Sequence, residues 1–234
     1  MTKIKICGIT EVEHALAAAQ AGVEFIGLVF APSRRQVSVE KACQIAAAVR
    51  ELNPRPEIVG VFANANIAHL NQVADYLRLD WVQLSGNETI EYCKLVDRPI
   101  IKAVHISSDN TAYEIAKIIE SGYKSLPGCT LLYLLDTKVE GCYGGTGQTF
   151  EWKIAEELSR HFPIIVAGGL TPDNVATLVT RAKPFGVDVS SGVESGGKKD
   201  VTKIVRFVQA VKEAETTGGC ETTLHPDEGG NSGV

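Results

Sequence analysis

With 234 residues, 44% of them hydrophobic and 22% charged, the chain is long enough to bury a sizeable core as one large domain. Its 23 Lys and Arg against 28 Asp and Glu give a net charge of −5, which argues against nonspecific binding to nucleic acid or to acidic membranes but not against a local phosphate site. The six cysteines (Cys7, Cys43, Cys93, Cys129, Cys142, Cys220) form no Cys-x-x-Cys pair, no apolar run reaches the ~18 residues of a membrane span, and no signal-peptide pattern opens the chain, so a cytoplasmic protein with reduced thiols is expected.

In chain order, short β-rich runs alternate with longer helical ones. The predicted strands are KIKIC (3–7), FIGLVF (25–30), IVGVF (58–62), WVQL (81–84), IIKAV (100–104), LLYLLD (131–136), IIVAG (164–168) and GVDVS (186–190). EVEHALAAAQAG is the first helix, closed by Gly22, and VEKACQIAAAVREL stops before Asn53-Pro54, because proline cannot continue a helix. IAHLNQVADYLR, TIEYCKLV, TAYEIAKIIESG, EWKIAEELSRHF, PDNVATLVTRA and VTKIVRFVQAVKEA follow, with Thr171 as an N-cap and Pro172 as the first helical residue. Eight strand–helix units in about 215 residues argue for a parallel sheet closed into a (β/α)8 barrel, an α/β fold. The barrel domain is assigned to residues 1–215. Residues 216–234, with five glycines and almost no large apolar side chain, are expected to be a disordered tail in which Cys220 and His225 are solvated.

In such a barrel the chemistry lies where the strands end. Cys7-Gly8, the loop APSRRQ (31–36), Ser85, His105, Asp136, Gly168-Gly169 and Ser190-Ser191-Gly192 therefore converge on one rim. The turns AGGL and SSG follow the seventh and eighth strands, where barrels often hold phosphate. Gly168, Gly169 and Gly192 remove side chains that would block backbone amides, and Ser190 and Ser191 add hydroxyls. GVESGGKK (192–199) is not a nucleotide P-loop, since Lys199 stands where a hydroxyl must bind Mg²⁺, and the five histidines share no metal-ligand spacing. The two-residue period puts Lys5 and Cys7 inside the barrel, where the lysine needs a carboxylate; Asp188, on the strand closing the barrel beside it, is the expected partner. Taken alone, Cys7 reads as a small buried hydrophobe and Asp136 as a turn former; together above a phosphate site they read as an acid–base pair.

KICGIT (5–10), VGVF (59–62), LLDT (134–137), GGTGQTFEW (144–152), AGGL (167–170) and VDVSSGVE (187–194) resemble the phosphoribosylanthranilate isomerase family, in the right order, from residue 3 to about residue 210. The resemblance implies a (β/α)8 barrel that performs an Amadori rearrangement without metal or organic cofactor. N-(5-phosphoribosyl)anthranilate would become 1-(2-carboxyphenylamino)-1-deoxyribulose 5-phosphate in tryptophan biosynthesis. It implies Cys7 as general base, Asp136 as general acid, Asp188 at the sugar and an arginine of FAPSRRQVS (30–38) at the anthranilate carboxylate, with Arg35 matching better than Arg34; His105 joins them as a rim residue expected at the ligand. Where the family has His in Q-L-H-G this chain has Ser85, so no imidazole contact is carried over to that position. At ordinary pKa values about 3% of a thiol and about 0.1% of a carboxyl are in the required forms at pH 7, so Lys5 is expected to lower the thiol and desolvation to raise the acid. Indole-glycerol-phosphate synthases and histidine-pathway isomerases would want a lysine or an aspartate in place of Cys7, and a barrel that binds a phosphorylated metabolite without turnover is the alternative from another class. The expected partner is a small phosphosugar, not nucleic acid or membrane, and the chain is expected to be a monomer or homodimer.

Overall fold

A computed structural model of the protein describes residues 1–107, 109–137 and 148–217. Eight parallel strands close into a barrel: β1 Lys3–Cys7, β2 Phe25–Val29, β3 Glu57–Phe62, β4 Trp81–Leu84, β5 Ile100–Ile106, β6 Leu131–Thr137, β7 Ile164–Ala167 and β8 Gly186–Val189, with β8 pairing back onto β1. Each is followed by a helix: α1 Val12–Ala21, α2 Val39–Arg50, α3 Ile67–Tyr76, α4 Ile90–Cys93, α5 Ala112–Ser125, α6 Gln148–Ser159, α7 Val175–Ala182 and α8 Val201–Thr217. The (β/α)8 barrel expected from the alternation is thus present. The helix α8 runs two residues past the boundary placed at 215, and residues 218–234 of the expected tail lie outside the described residues, as does Cys142. A short hairpin, β9 Glu194–Ser195 and β10 Lys198–Lys199, precedes α8.

The period-2 alternation divides the apolar side chains. Phe25, Val59, Ile101, Ala103, Leu132, Leu134, Ile165 and Ala167 fill the barrel, and the larger cluster between sheet and helices takes the alternate positions, such as Ile4, Ile6, Val82 and Val166. Each such buried aliphatic side chain contributes about 1.5–3 kcal/mol, which fixes every strand's register and hence which residues reach the rim.

Two helices differ from expectation. TIEYCKLV yields a single turn, α4, capped by the Thr89 hydroxyl. The helix expected from Thr171-Pro172 begins at Val175, because the Asn174 side chain accepts from Thr171 N at 2.8 Å and donates to the Gly169 carbonyl at 3.0 Å. That asparagine turn competes with helix and ties the segment to the end of β7. Gly22 closes α1 in the left-handed conformation (φ 92°), as expected. Among the described residues no helix is long and apolar enough to cross a membrane.

Candidate active site

Strand β1 carries Lys5 and Cys7 into the barrel. Lys5 Nζ donates to Asp188 Oδ1 at 3.0 Å, the pairing of β1 with β8 placing Lys5 opposite Asp188. Gly27 of β2 makes the room: a Cβ there would lie 3.0 Å from Cys7 Sγ and 3.1 Å from Lys5 Nζ. Burial pulls Lys5 down, but Asp188 and Cys7 together hold it above its ordinary pKa and keep it charged. Burial also lifts the Asp188 carboxyl against the pull of Lys5. The Cys7 thiol is pushed up, not down as expected: desolvation outweighs the attraction of Lys5 and Lys199, and Asp188 adds to it. The thiol rests protonated.

Above this pair a cavity of about 450 Å³ opens at the C-terminal ends of the strands. Cys7, Arg35, Asp136, Gly168, Gly169, Asp188, Ser190 and Ser191 all line it, and so do Gln83 and Ser85. Arg34 is not part of the lining; it points outward, 61% exposed, which favours Arg35 of the two. A larger cavity, about 730 Å³, opens at the opposite end of the barrel around Met1, His161 and Phe185 and holds none of these residues.

The turns after β7 and β8 form one wall. Gly168 and Gly169 take positive φ (91° and 62°), a conformation side chains disfavour. Gly192 sits behind the lining, in a single 3₁₀ turn (Ser191–Val193), pressed onto the first turn: a Cβ there would lie 1.8 Å from the Leu170 carbonyl oxygen. The absence of that carbon lets the two turns meet as one cup. The Ser190 hydroxyl donates to the Cys7 carbonyl at 3.0 Å, joining the cup to the strand that carries the thiol.

On the facing side Asp136 is the next-to-last residue of β6, with His105 opposite it on β5. His105 lies within β5 rather than after it, and its side chain is not among those lining the cavity. Its Nε2 lies 3.0 Å from the Ser85 carbonyl, which can only accept, so Nε2 carries the proton and Nδ1 faces Asp136 Oδ2 at 3.4 Å. His105 therefore reaches the site through Asp136. Gln83, an inward position of β4, was missed by sequence reasoning, although a polar residue between apolar neighbours on an inward face is a signal. Its Nε2 donates to the Ser85 hydroxyl at 3.0 Å, while its buried Oε1 has no partner among the described residues. The loop carrying Ser85 is held from outside the barrel by Lys102, which donates to the Gly86 carbonyl at 2.9 Å and to Glu88 at 3.1 Å. Among the described residues no group of three or more His, Cys, Asp or Glu is placed to hold a metal ion.

A closed barrel whose one mouth gathers a thiol, two carboxylates, an arginine, a double-glycine turn and a serine–glycine turn has the architecture of a (β/α)8-barrel enzyme acting on a small anionic molecule. Residues 4–210 match the family model of N-(5'-phosphoribosyl)anthranilate (PRA) isomerase. The N-(5'-phosphoribosyl)anthranilate isomerase of Dehalococcoides mccartyi is 48% identical over 220 residues, 94% of this chain and 100% of that one. The crystal structure of the Thermotoga maritima phosphoribosyl anthranilate isomerase is 38% identical and superposes with a TM-score of 0.76, covering 91% of this chain and 100% of that one. A further structure of such an isomerase, in complex with reduced 1-(o-carboxyphenylamino)-1-deoxyribulose 5-phosphate, is 35% identical with a TM-score of 0.75, again over 91% and 100%. The chain belongs to the phosphoribosylanthranilate isomerase family, isomerases of tryptophan biosynthesis.

Proposed function

We propose that the protein converts N-(5-phosphoribosyl)anthranilate to 1-(2-carboxyphenylamino)-1-deoxyribulose 5-phosphate, with Asp136 as general acid and Cys7 as general base. The observation that carries this reading is that one cavity is lined by both groups, Cys7 from β1 and Asp136 from β6, with the cup of Gly168, Gly169, Ser190 and Ser191 on the strands between them. The cup takes the phosphate and Arg35 the anthranilate carboxylate, so the two ends of the substrate are fixed and the sugar is stretched between acid and base.

Asp136 protonates the furanose ring oxygen, and the C1′–O bond breaks to leave a protonated Schiff base. Cys7, as thiolate, removes the C2′ proton, the electrons of that C–H bond form the C1′–C2′ double bond of an enolamine, and tautomerisation gives the ketone. Asp188 faces the sugar from beside Lys5, and His105 orients the Asp136 carboxyl instead of touching substrate. The reading needs no metal or organic cofactor, and places the enzyme in the cytoplasm as a monomer or homodimer.

The test is the fluorescence of freshly made phosphoribosylanthranilate mixed with the native chain, Cys7→Ser and Asp136→Asn. Loss of signal with the native chain, slowed by about 10²–10⁴-fold in either variant, is the expected result. Native turnover that survives both substitutions would remove the assigned pair, and phosphate-sensitive binding without turnover would leave a phosphosugar-binding barrel.

A further inference from the structure

The stretch GVESGGKK, unsuited to nucleotide binding, folds as the β9–β10 hairpin with Lys199 opposite Glu194 in register. Glu194 turns back toward the mouth, its side chain 5% exposed. Its Oε1 accepts from Arg35 Nε at 2.6 Å and Lys199 Nζ at 2.9 Å; its Oε2 accepts from Arg35 Nη2 at 3.1 Å and Arg34 Nη2 at 2.9 Å. Four donors fill the lone-pair sites of one carboxylate. Lys199 Nζ is equally occupied: besides Glu194 it donates to the Ser190 carbonyl at 2.8 Å and the Ser190 hydroxyl at 3.3 Å. The hairpin itself is pinned, with Lys203 Nζ donating to the Glu194 carbonyl at 2.7 Å and Ser195 Oγ to Asp200 at 2.7 Å.

Neither Glu194 nor Lys199 lines the cavity, yet between them they hold a residue of each end of it. Glu194 grips the Nε–Nη2 side of the Arg35 guanidinium, which leaves one N–H on each η nitrogen, the end-on edge, for a second carboxylate. Lys199 holds Ser190, one of the two serines of the cup. We infer that Glu194 and Lys199 are positioning residues that couple the carboxylate-binding arginine to the phosphate cup, so that each end of the substrate is bound more tightly when the other is in place. Burial raises the Glu194 carboxyl, but the hydrogen bonds from Arg35 and Lys199 outweigh it and bring it to about 2, so the brace stays charged throughout the working pH range.

The inference rests on Arg35 and the cup as the two substrate ends. It is tested by steady-state kinetics of the native chain, Glu194→Gln, Arg35→Ala and the double variant, with inhibition by inorganic phosphate measured on each. Glu194→Gln is expected to raise KM roughly tenfold with kcat within about twofold, because it loosens ground-state and transition-state binding alike. In the double variant the combined rise in KM should fall well short of the product of the two single effects, since part of the glutamate's effect runs through the arginine. The inhibition constant for phosphate should rise several-fold in Glu194→Gln, and also in Lys199→Met, which reads the other half of the brace should Glu194→Gln fold poorly. A merely structural glutamate would lower the folded fraction and kcat without moving KM or the phosphate constant; that result, or additive KM effects, overturns the inference. Failure of the isomerase reading shows itself separately, as absence of turnover by the native chain, a measurement in which no Glu194 variant plays a part.

Discussion

Gly192→Ala tests whether the two turns must touch for the site to form. At Gly192 the issue is space, since its φ is not positive. The added Cβ would lie 1.8 Å from the Leu170 oxygen, 2.9 Å from the Leu170 carbonyl carbon and 3.1 Å from the Thr171 Cα, all backbone atoms that cannot rotate away. To reach an ordinary contact of 3.4 Å the turns must part by about 1.6 Å. Overpacking of this kind costs about 1–3 kcal/mol in stability, whereas a displacement near 1 Å at a binding group costs on the order of 10²-fold in rate. We therefore expect kcat/KM, followed by substrate fluorescence, to fall about a hundredfold, mainly through KM, with a melting temperature lowered by about 2–12 °C. Gly128→Ala is the control. Gly128, by contrast, has a positive φ, 83°, with no atom of the described residues within 4 Å of its Cβ and no place at the mouth, so it should lose stability and keep kcat/KM. A Gly192→Ala enzyme with kcat/KM within threefold of native would refute the contact between the turns as a condition for binding.

Lys5→Met should destabilise the fold by about 3–5 kcal/mol in urea, since it strands Asp188 without its partner inside the barrel; a loss below about 1 kcal/mol would mean that Asp188 carries no charge there. The pH profile of kcat/KM gives a second check. The product of thiolate and neutral-carboxyl fractions is level between the two pKa values and falls above that of the thiol. Because burial raises Cys7, the alkaline limb should lie above the ordinary thiol value of 9.0; a limb below it would show that Lys5 wins over desolvation. Gln83→Leu keeps the volume but removes the unpaired Oε1 from the cavity wall, and should raise KM about tenfold if a substrate hydroxyl fills that acceptor; an unchanged KM would show that none does.

The barrel was legible because strand periodicity and loop chemistry repeat eight times, and each repeat constrains the next. Lys5 and Asp188 can be paired from the sequence alone, since period 2 turns both inward and barrel closure makes their strands neighbours. What sequence could not supply is the outcome of competing terms. Lys5 lies beside Cys7 as expected, but whether attraction or desolvation wins depends on how much water the neighbouring Val29, Val61 and Ala31 exclude, residues contributed by other strands and loops. The Arg35–Glu194 grip joins residues 159 positions apart through side chains alone, with no local pattern to announce it. α7 starts late for a similar reason: Pro172 is a sound first helical residue, but Asn174 gains more by tying Thr171 to Gly169.

A base made of sulfur has a vulnerability that a carboxylate lacks, because the thiolate is the form that oxidants and alkylating agents attack. Cys7 is 8% exposed at the foot of the mouth and rests as the thiol, whereas Cys43 lies open on α2. With Cys7 in its proposed role as base, the desolvation that makes the thiolate scarce also stores the sulfur in its least reactive form. Bulky maleimides should therefore consume Cys43 first and spare Cys7.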